Sequence, residues 1–259
     1  MNENGNLLKA ERLNEIHAQV NEQGRATVLD LSERFGVSEA TIRRDLEELH
    51  SQGLLRRTHG GAVRAITAPR EPPMIMRLSE HPEEKARIGA HAAAMIKDGE
   101  TIFLGSGTTV LEVARHLPSE IRLTVITNSL PVVNQMVEYS DVKLIVIGGM
   151  LRQSELSMVG HVAEHAVGEF RADRAFMGMY AIDTQCGFTN EYPPELLTDR
   201  AILSIARQVV ILADNSKFGR VSSMLVSPIQ AAHVIITDTR TPQDYVDELR
   251  QMNITVIQV

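Results

Sequence analysis

The sequence predicts an α/β protein of two domains, a small helical one at the N-terminus and a larger one built on a mostly parallel sheet. Short amphipathic helices and a β-hairpin are predicted within residues 1–64, whereas buried strands alternate with helices over residues 81–259. Three prolines interrupt residues 65–80, so we predict an extended linker there. With 43% hydrophobic and 23% charged residues, the chain of 259 residues can form both cores without disulfides.

The N-terminal domain is predicted to hold three helices. The first spans residues 8–23 and the second spans Val28–Phe35. Gly36 comes next, where glycine can adopt the left-handed conformation that a tight turn between helices needs. Ser38 is then the predicted N-cap of the third helix. That helix buries a narrow apolar stripe formed by Ile42, Leu46 and Leu49.

A β-hairpin is predicted directly after the third helix. Residues 54–58 and 62–64 form two short strands around the turn His59-Gly60-Gly61. Helix, turn, helix and hairpin together make a winged helix-turn-helix, which inserts its last helix into the major groove of double-stranded DNA. The side chains predicted to contact DNA are Ser38, Thr41, Arg43 and Arg44 on the helix, and Arg56, Arg57 and His59 on the hairpin.

The net charge of −7 is unexpected for a DNA-binding protein until its distribution is considered. Residues 1–66 hold nine Lys/Arg and ten Asp/Glu, so most of the acidity lies in the second domain. Residues 54–70 hold four arginines and no acid, which leaves a basic edge for DNA phosphates. A helical hairpin with solvent-facing charges is the plainer alternative, because charged side chains are usually exposed.

Seven runs rich in Val, Ile and Leu predict the strands of the second domain. Continuous apolar runs are typical of parallel strands that helices cover on both faces. The runs lie at residues 100–105, 123–127, 142–148, 173–181, 208–214, 232–238 and 253–259. Helices are predicted at residues 83–96, 106–117, 130–139, 157–170, 193–207 and 241–252.

Ligands of such sheets bind outside the carboxyl ends of the strands, and four polar loops follow these ends. The loop Gly105–Thr109 joins two glycines and three hydroxyls at a helix start, which suits a phosphate dianion. The other three loops lie at residues 127–129, 148–152 and 214–219. The candidate binding residues are Gly105, Ser106, Gly107, Thr108, Thr109, Thr127, Asn128, Ser129, Gly148, Gly149, Arg152 and Lys217.

Each of these loops also has an interpretation without a ligand. A glycine-rich sequence such as Gly105–Thr109 can be only a turn. Asn128 and Ser129 can cap the helix that follows them. Lys217 can be an ordinary surface lysine.

Residues 28–63, VLDLSERFGVSEATIRRDLEELHSQGLLRRTHGGAV, resemble the N-terminal DNA-binding domain of the DeoR family of bacterial transcriptional regulators. The segments GSGTT, TNS, GGMLR, ELSMVG, GFT and LADNSKFG stand in the order expected of that family's effector domain. That domain is similar in fold to ribose-5-phosphate isomerase, so the resemblance implies a Rossmann-like sheet and a phosphorylated sugar as effector. It also implies that Ser106 to Thr109 hold the phosphate and that Asn128, Asp183 and Lys217 line the sugar site.

The resemblance implies a cytoplasmic transcriptional regulator, usually a repressor, of a sugar or carbohydrate metabolism operon. Its expected partners are double-stranded operator DNA, a phosphorylated sugar effector and further copies of the chain in a dimer or tetramer. No cofactor, metal or catalytic residue is expected. No membrane contact is expected either, because no apolar run approaches the ~20 residues that span a bilayer. The single cysteine, Cys186, fits a reducing cytosol.

Two enzymatic functions are the alternatives. A sugar-phosphate isomerase with an appended DNA-binding domain needs a general base, for which Asp183, Glu191 and Asp214 are candidates. A CoA-transferase-like module needs a nucleophilic glutamate, for which Glu155 is the candidate. Fold alone does not decide between these functions.

Overall fold

The structure, a computed structural model, describes residues 9–51, 55–58, 60–64 and 71–259. The chain divides into two compact units, residues 1–67 and 68–259. Three predicted features lie outside the described residues: the end of the third helix at Gly53, the DNA-contact residue His59 and residues 65–70 of the linker. Within the described ranges, no helix has both the length and the apolar character needed to cross a membrane.

The N-terminal unit is a three-helix domain with a small antiparallel sheet. Its elements are α1 (Lys9–Gln23), β1 (Arg25–Thr27), α2 (Val28–Phe35), α3 (Glu39–Ser51), β2 (Leu55–Thr58) and β3 (Gly61–Arg64). The sheet has the strand order β1-β3-β2, so the predicted hairpin is joined by a third strand that the sequence did not predict. Three residues are too few to show a period, which is why β1 was missed.

The predicted signals at the ends of α2 and α3 are confirmed. Gly36 has a φ of 62°, the left-handed conformation that the turn was expected to need. The backbone N–H of Thr41 donates to Ser38 Oγ at 3.3 Å, so Ser38 caps the start of α3. Ile42, Leu46 and Leu49 are all buried in the core of this unit. The buried face of α3 thereby fixes which of its side chains point outward.

The second unit is built on a sheet of seven parallel strands. Its first elements are α4 (Met74–Arg77), α5 (Pro82–Ala94), β4 (Thr101–Leu104), α6 (Thr108–Arg115), β5 (Leu123–Thr127), α7 (Leu130–Met136), β6 (Val142–Val146), β7 (Met150–Arg152), β8 (Ser157–Val159) and α8 (His161–Gly168). They are followed by β9 (Ala172–Gly178), β10 (Ala181–Asp183), β11 (Gly187–Asn190), α9 (Pro193–Ile205), β12 (Ala206–Leu212), β13 (Met224–Ser227), β14 (Val234–Thr237), α10 (Gln243–Gln251) and β15 (Thr255–Gln258).

The strand order of the large sheet is β15-β14-β12-β9-β4-β5-β6. From β4 the chain adds β5 and β6 on one side, and then returns to place β9 and β12 on the other side. The direction of strand addition therefore reverses between β4 and β9. In open parallel sheets such a reversal leaves a crevice at the carboxyl ends of the two strands.

Helices cover both faces of this sheet, as the continuous apolar strands predicted. One core packs Ile102 and Phe176 against α5, α6 and α7. The other packs Phe103 and Met177 against α8, α9 and α10. Neighbouring residues of β4 and β9 thus point into opposite cores, which explains why these strands show no polar alternation.

Three local predictions are wrong. Met74–Arg77 is helical and not extended, because Pro72 and Pro73 precede the helix instead of interrupting it. The predicted helix at 157–170 starts only at His161, since Ser157–Val159 pairs with β7 as a strand. The loop predicted at residues 148–152 becomes strand β7 at Met150, because it pairs with β8. The GFT segment, for which no strand was predicted, is β11 in an antiparallel sheet with β10 and β13.

Candidate functional site

A polar cleft opens at the reversal point of the large sheet. Its floor is formed by the segments that follow β4, β9 and β12, including Ser106–Thr109, Gly178–Tyr180 and Ala213–Asp214. The open space, with its mouth included, is ≈ 680 Å³. Its position agrees with the rule that ligands of parallel sheets bind at the carboxyl ends of strands.

The loop from β4 into α6 forms one wall of the cleft. Gly107 has a φ of 116°, a conformation that residues with a side chain rarely adopt. As the residue before the first turn of α6, Gly107 has no side chain with which to cap the helix. The first N–H groups of α6 therefore need another acceptor, and an anion in the cleft can supply it. Thr108 and Thr109 add hydroxyl groups to the same wall.

Three cationic side chains line the cleft. Lys217 ends a short 3-10 turn after β12, Lys85 lies on α5, and Arg77 ends α4. Lys85 Nζ donates to the backbone carbonyl of Arg77 at 2.7 Å. Burial lowers the pKa of Lys85, although the charge of Asp214 opposes the shift.

Carboxylates face these cations across the cleft. Burial raises the pKa of Glu155 to about 7, against the opposing charge of Arg77. Burial and the charge of Glu195 raise the pKa of Asp199. Burial also acts to raise the pKa of Asp214, but the hydrogen bond from Ser216 and the charge of Lys217 outweigh it, so this pKa is lowered. When ionised, these carboxylates can accept hydrogen bonds from hydroxyl groups of a ligand, and the protonated forms of Glu155 and Asp199 can also donate one.

Further contacts order the acidic side. Asn190 Nδ2 donates to Glu195 Oε2 at 2.8 Å, and Arg152 forms an ion pair with the same carboxylate. The guanidinium of Arg152 also stacks 4.6 Å from the centre of the Tyr192 ring. Glu155 Oε1 is buried and has no hydrogen-bond partner within the described part of the chain. An unsatisfied buried acceptor of this kind is costly unless a ligand or water donates to it.

Protonation of Glu155 predicts a pH-dependent stability. Its pKa in the folded chain lies above the ordinary glutamate value of 4.5, so the folded chain binds this proton more tightly than the unfolded chain. The resulting stabilisation is lost as pH rises from about 4.5 to about 7. We expect the Tm of the wild type to fall more than that of Glu155→Gln between pH 5 and 8, by roughly 5–10 °C. Calorimetry checks this against Glu169→Gln, an exposed control, and parallel curves for all three would contradict it.

The structure brings together only some of the predicted binding residues. Ser106, Gly107, Thr108, Thr109 and Lys217 all line the cleft. Gly105 does not line the cleft, and its N–H donates to the Phe176 carbonyl at 3.0 Å. Arg152 does not line the cleft either, but it forms an ion pair with Glu195, which does.

The remaining predicted residues do not line the cleft. Asn128 Nδ2 donates to the Met158 carbonyl at 2.9 Å, and Ser129 N donates to Thr127 Oγ1 at 3.0 Å, so this loop supports β8. Gly148 and Gly149 precede β7. Asp183 Oδ1 accepts the N–H groups of Gln185 and Cys186 in the turn from β10 to β11.

Some residues of the cleft were missed although the sequence carried a signal. Lys85 occupies the buried face of α5 with Ile88 and Ala92, at helical spacing. Glu195 and Asp199 are four residues apart on α9, a spacing that places them on one helix face. A charged residue on a core-facing stripe needs a partner or a function. Arg77 and Glu71 carried no such signal, since they lie in the predicted linker.

The outward face of α3 carries the predicted DNA contacts. Arg43 and Arg44 are exposed, and Arg43 donates to Glu39 at 2.8 Å across one helical turn. Ser38 Oγ and Thr41 Oγ1 lie 3.0 Å apart at the start of the helix. On the hairpin, Arg57 forms an ion pair with Glu47, and the side chain of Arg56 lies outside the described part.

Comparison with known proteins matches both units. The model of the DeoR-like helix-turn-helix domain matches residues 12–67, and that of the DeoR C-terminal sensor domain matches residues 80–239. The transcriptional repressor AccR of Agrobacterium fabrum is 36% identical over 212 residues, which cover 82% of each chain. The glycerol-3-phosphate regulon repressor of Escherichia coli is 34% identical over 236 residues, covering 91% of this chain and 93% of the relative.

Among solved structures, ribose 5-phosphate isomerase A of Methanocaldococcus jannaschii aligns with a TM-score of 0.40 and 19% identity, over 54% of this chain and 55% of that one. Family models match both units, and repressors match most of the chain's length. These matches confirm the predicted resemblance. The chain belongs to the DeoR family of DNA-binding transcriptional regulators.

Proposed function

We propose that this protein represses a sugar or carbohydrate metabolism operon and releases its operator when a phosphorylated sugar occupies the cleft. The observation that carries the proposal is the pairing, in one cleft, of an uncapped helix N-terminus with Lys217. A phosphate dianion satisfies both, because the helix N-terminus and the ammonium group each favour negative charge. A curated relative named as the glycerol-3-phosphate regulon repressor supports a phosphorylated effector, and one named as a putative aga operon transcriptional repressor supports the repression of an operon.

The acidic side of the cleft suits the other end of such a ligand. The sugar's hydroxyl groups can donate to Glu155, Glu195 and Asp199, which line the cleft as acceptors when ionised. Phosphate at the α6 loop and hydroxyls at the carboxylates would orient the ligand along the cleft. We propose this as the binding mode of the effector.

Regulation would follow from a shift between two populations. The effector must bind the arrangement with low operator affinity more tightly, since only this difference can move the equilibrium. A coupling of ~1–3 kcal/mol changes operator affinity by ~5–150-fold. We also propose that the chain acts as a dimer or tetramer in the cytoplasm, because one winged helix covers only one half-site of a symmetric operator.

The test combines two binding assays. A thermal-shift screen over phosphorylated sugars identifies the effector, because a ligand that binds only the folded state raises Tm by mass action. A gel-shift titration with the DNA upstream of its own operon then measures specific binding with and without that effector. The unphosphorylated sugar is the control. Binding no tighter than to random DNA at physiological salt would count against the proposal.

The hairpin arginine gives a further prediction for DNA binding. Arg57 is proposed to contact a phosphate, which carries no sequence information. Arg57→Ala should therefore weaken specific and non-specific binding alike, by a few-fold, and flatten the slope of log K against log salt by about 0.9. Salt-dependent anisotropy measures both. Loss confined to the operator would show that Arg57 reads a base instead.

We further propose that the protein is not an isomerase. Asp183, one candidate base, is held by two backbone N–H groups in the β10–β11 turn and does not line the cleft. Asp214 lines the cleft, but the hydrogen bond from Ser216 and the charge of Lys217 lower its pKa, which makes it a weaker base. Glu191, the third candidate, does not line the cleft. Turnover of ribose 5-phosphate by the pure protein, abolished by Asp214→Asn, would overturn this part.

A further inference from the structure

The carboxylate of Glu71 forms an ion pair with Lys217, the side chain that is proposed to bind the phosphate of the effector. Its Oε1 accepts from Arg77 Nη1 at 2.9 Å and also pairs with Lys217 Nζ. The side chain of Glu71 is only 11% exposed, and that of Lys217 only 15% exposed. Buried ion pairs of this kind hold their partners firmly, since removing one partner leaves an uncompensated charge.

The segment that carries Glu71 is fastened across the cleft. We call residues 71–77 the strap. Met74 N donates to the Ser154 carbonyl at 2.7 Å, and Arg77 Nε donates to the Pro72 carbonyl at 2.9 Å. Arg77 also forms an ion pair with Glu155, which lines the same cleft. Glu71 is therefore positioned by the fold and does not reach Lys217 by chance.

We infer that Glu71 is an internal competitor for the anionic group of the effector, occupying Lys217 until a phosphate displaces it. The inference rests on the proposed function and adds how the site selects its ligand. A phosphate bound between the α6 loop and Lys217 would meet the Glu71 carboxylate on the same ammonium group. Two anions on one cation repel each other, so the tighter one displaces the other.

The competition sets the chemistry of the ligand. A phosphate dianion gains both Lys217 and the N–H groups of α6, whereas Glu71 offers one carboxylate charge. An unphosphorylated sugar has no charge to pair with Lys217 or with the N–H groups of α6, so it cannot displace Glu71. The internal carboxylate thus raises the threshold for binding and favours dianionic ligands over neutral ones.

The test is phosphate binding by Glu71→Gln in the full chain. Glu169→Gln is the matched control, because it removes the same charge from an exposed glutamate that does not line the cleft. Calorimetric titration with inorganic phosphate should show Glu71→Gln binding about tenfold more tightly than the wild type, or more, as expected for removing a charge-assisted competitor. Glu169→Gln should change the Kd by less than about twofold. Equal effects of the two substitutions, or weaker binding by Glu71→Gln, would overturn the inference.

A second variant keeps the inference testable if Glu71→Gln does not fold. Glu71→Asp keeps the charge but withdraws the carboxylate by one methylene, so its phosphate affinity should lie between those of the wild type and Glu71→Gln. An affinity equal to or below that of the wild type would also overturn the inference. Failure of the proposed function is distinguishable: phosphate would then bind as expected while no phosphorylated sugar alters the gel shift.

Discussion

Lys217→Ala is expected to abolish the response to effector while leaving operator binding within about twofold of the wild type. Lys217 lines the cleft beside the α6 loop, and a charge-assisted hydrogen bond to phosphate contributes ~1.5–3 kcal/mol. Its loss corresponds to ~10–150-fold weaker effector binding. Glu71 retains its pair with Arg77 at 2.9 Å in the variant, so the strap stays anchored.

The measurement is a gel-shift titration with effector for both proteins, at one salt concentration. Lys143→Ala is the control, because Lys143 is exposed on β6 and does not line the cleft. It should respond to effector as the wild type does. If Lys217→Ala lost operator binding and effector response together, the cleft would be the wrong site.

Arg43→Ala is expected to lower affinity for the operator much more than affinity for random DNA. Arg43 is exposed on the outward face of α3, opposite the buried Ile42 and Leu46. A bidentate base contact contributes ~1–3 kcal/mol of discrimination, or ~5–150-fold in affinity. Its pair with Glu39 does not prevent this, because an exposed ion pair contributes at most about 1 kcal/mol.

Anisotropy with labelled operator and labelled random duplex measures the two affinities. Arg122→Ala serves as control, since Arg122 is an exposed arginine of the second unit that also has an acidic partner, Asp98. The control should leave both affinities unchanged within about twofold. An equal fall in both affinities for Arg43→Ala would assign Arg43 to a phosphate and not to a base.

The winged helix could be predicted because each of its signals is local. The Gly36 turn, the Ser38 cap and the stripe through Ile42 and Leu46 all arise from residues close in sequence. Strand β1 was not predicted, because its partner β3 lies more than thirty residues away in sequence. The parallel sheet was equally predictable, since buried strands between helices leave a pattern of continuous apolar runs.

The cleft was predictable on one side and not on the other. The loops Gly105–Thr109 and 214–219 follow strands of the sheet, so their meeting is a consequence of parallel topology. Glu71 and Arg77 come from a segment that the prolines marked as a linker, and only tertiary contacts bring them to Lys217. Short strands β7, β8 and β10 likewise depend on pairing across loops and show no period of their own.

Operator and effector are proposed to bind one protein with opposing effects, and such coupling must be reciprocal. Linkage requires that the effector weaken operator binding by the same factor as saturating operator weakens effector binding. Both factors can be measured on one preparation, by anisotropy with labelled operator and by calorimetric titration of the effector with and without operator. We predict equal factors, both within ~5–150-fold. An effector Kd that is unchanged by saturating operator would contradict the account.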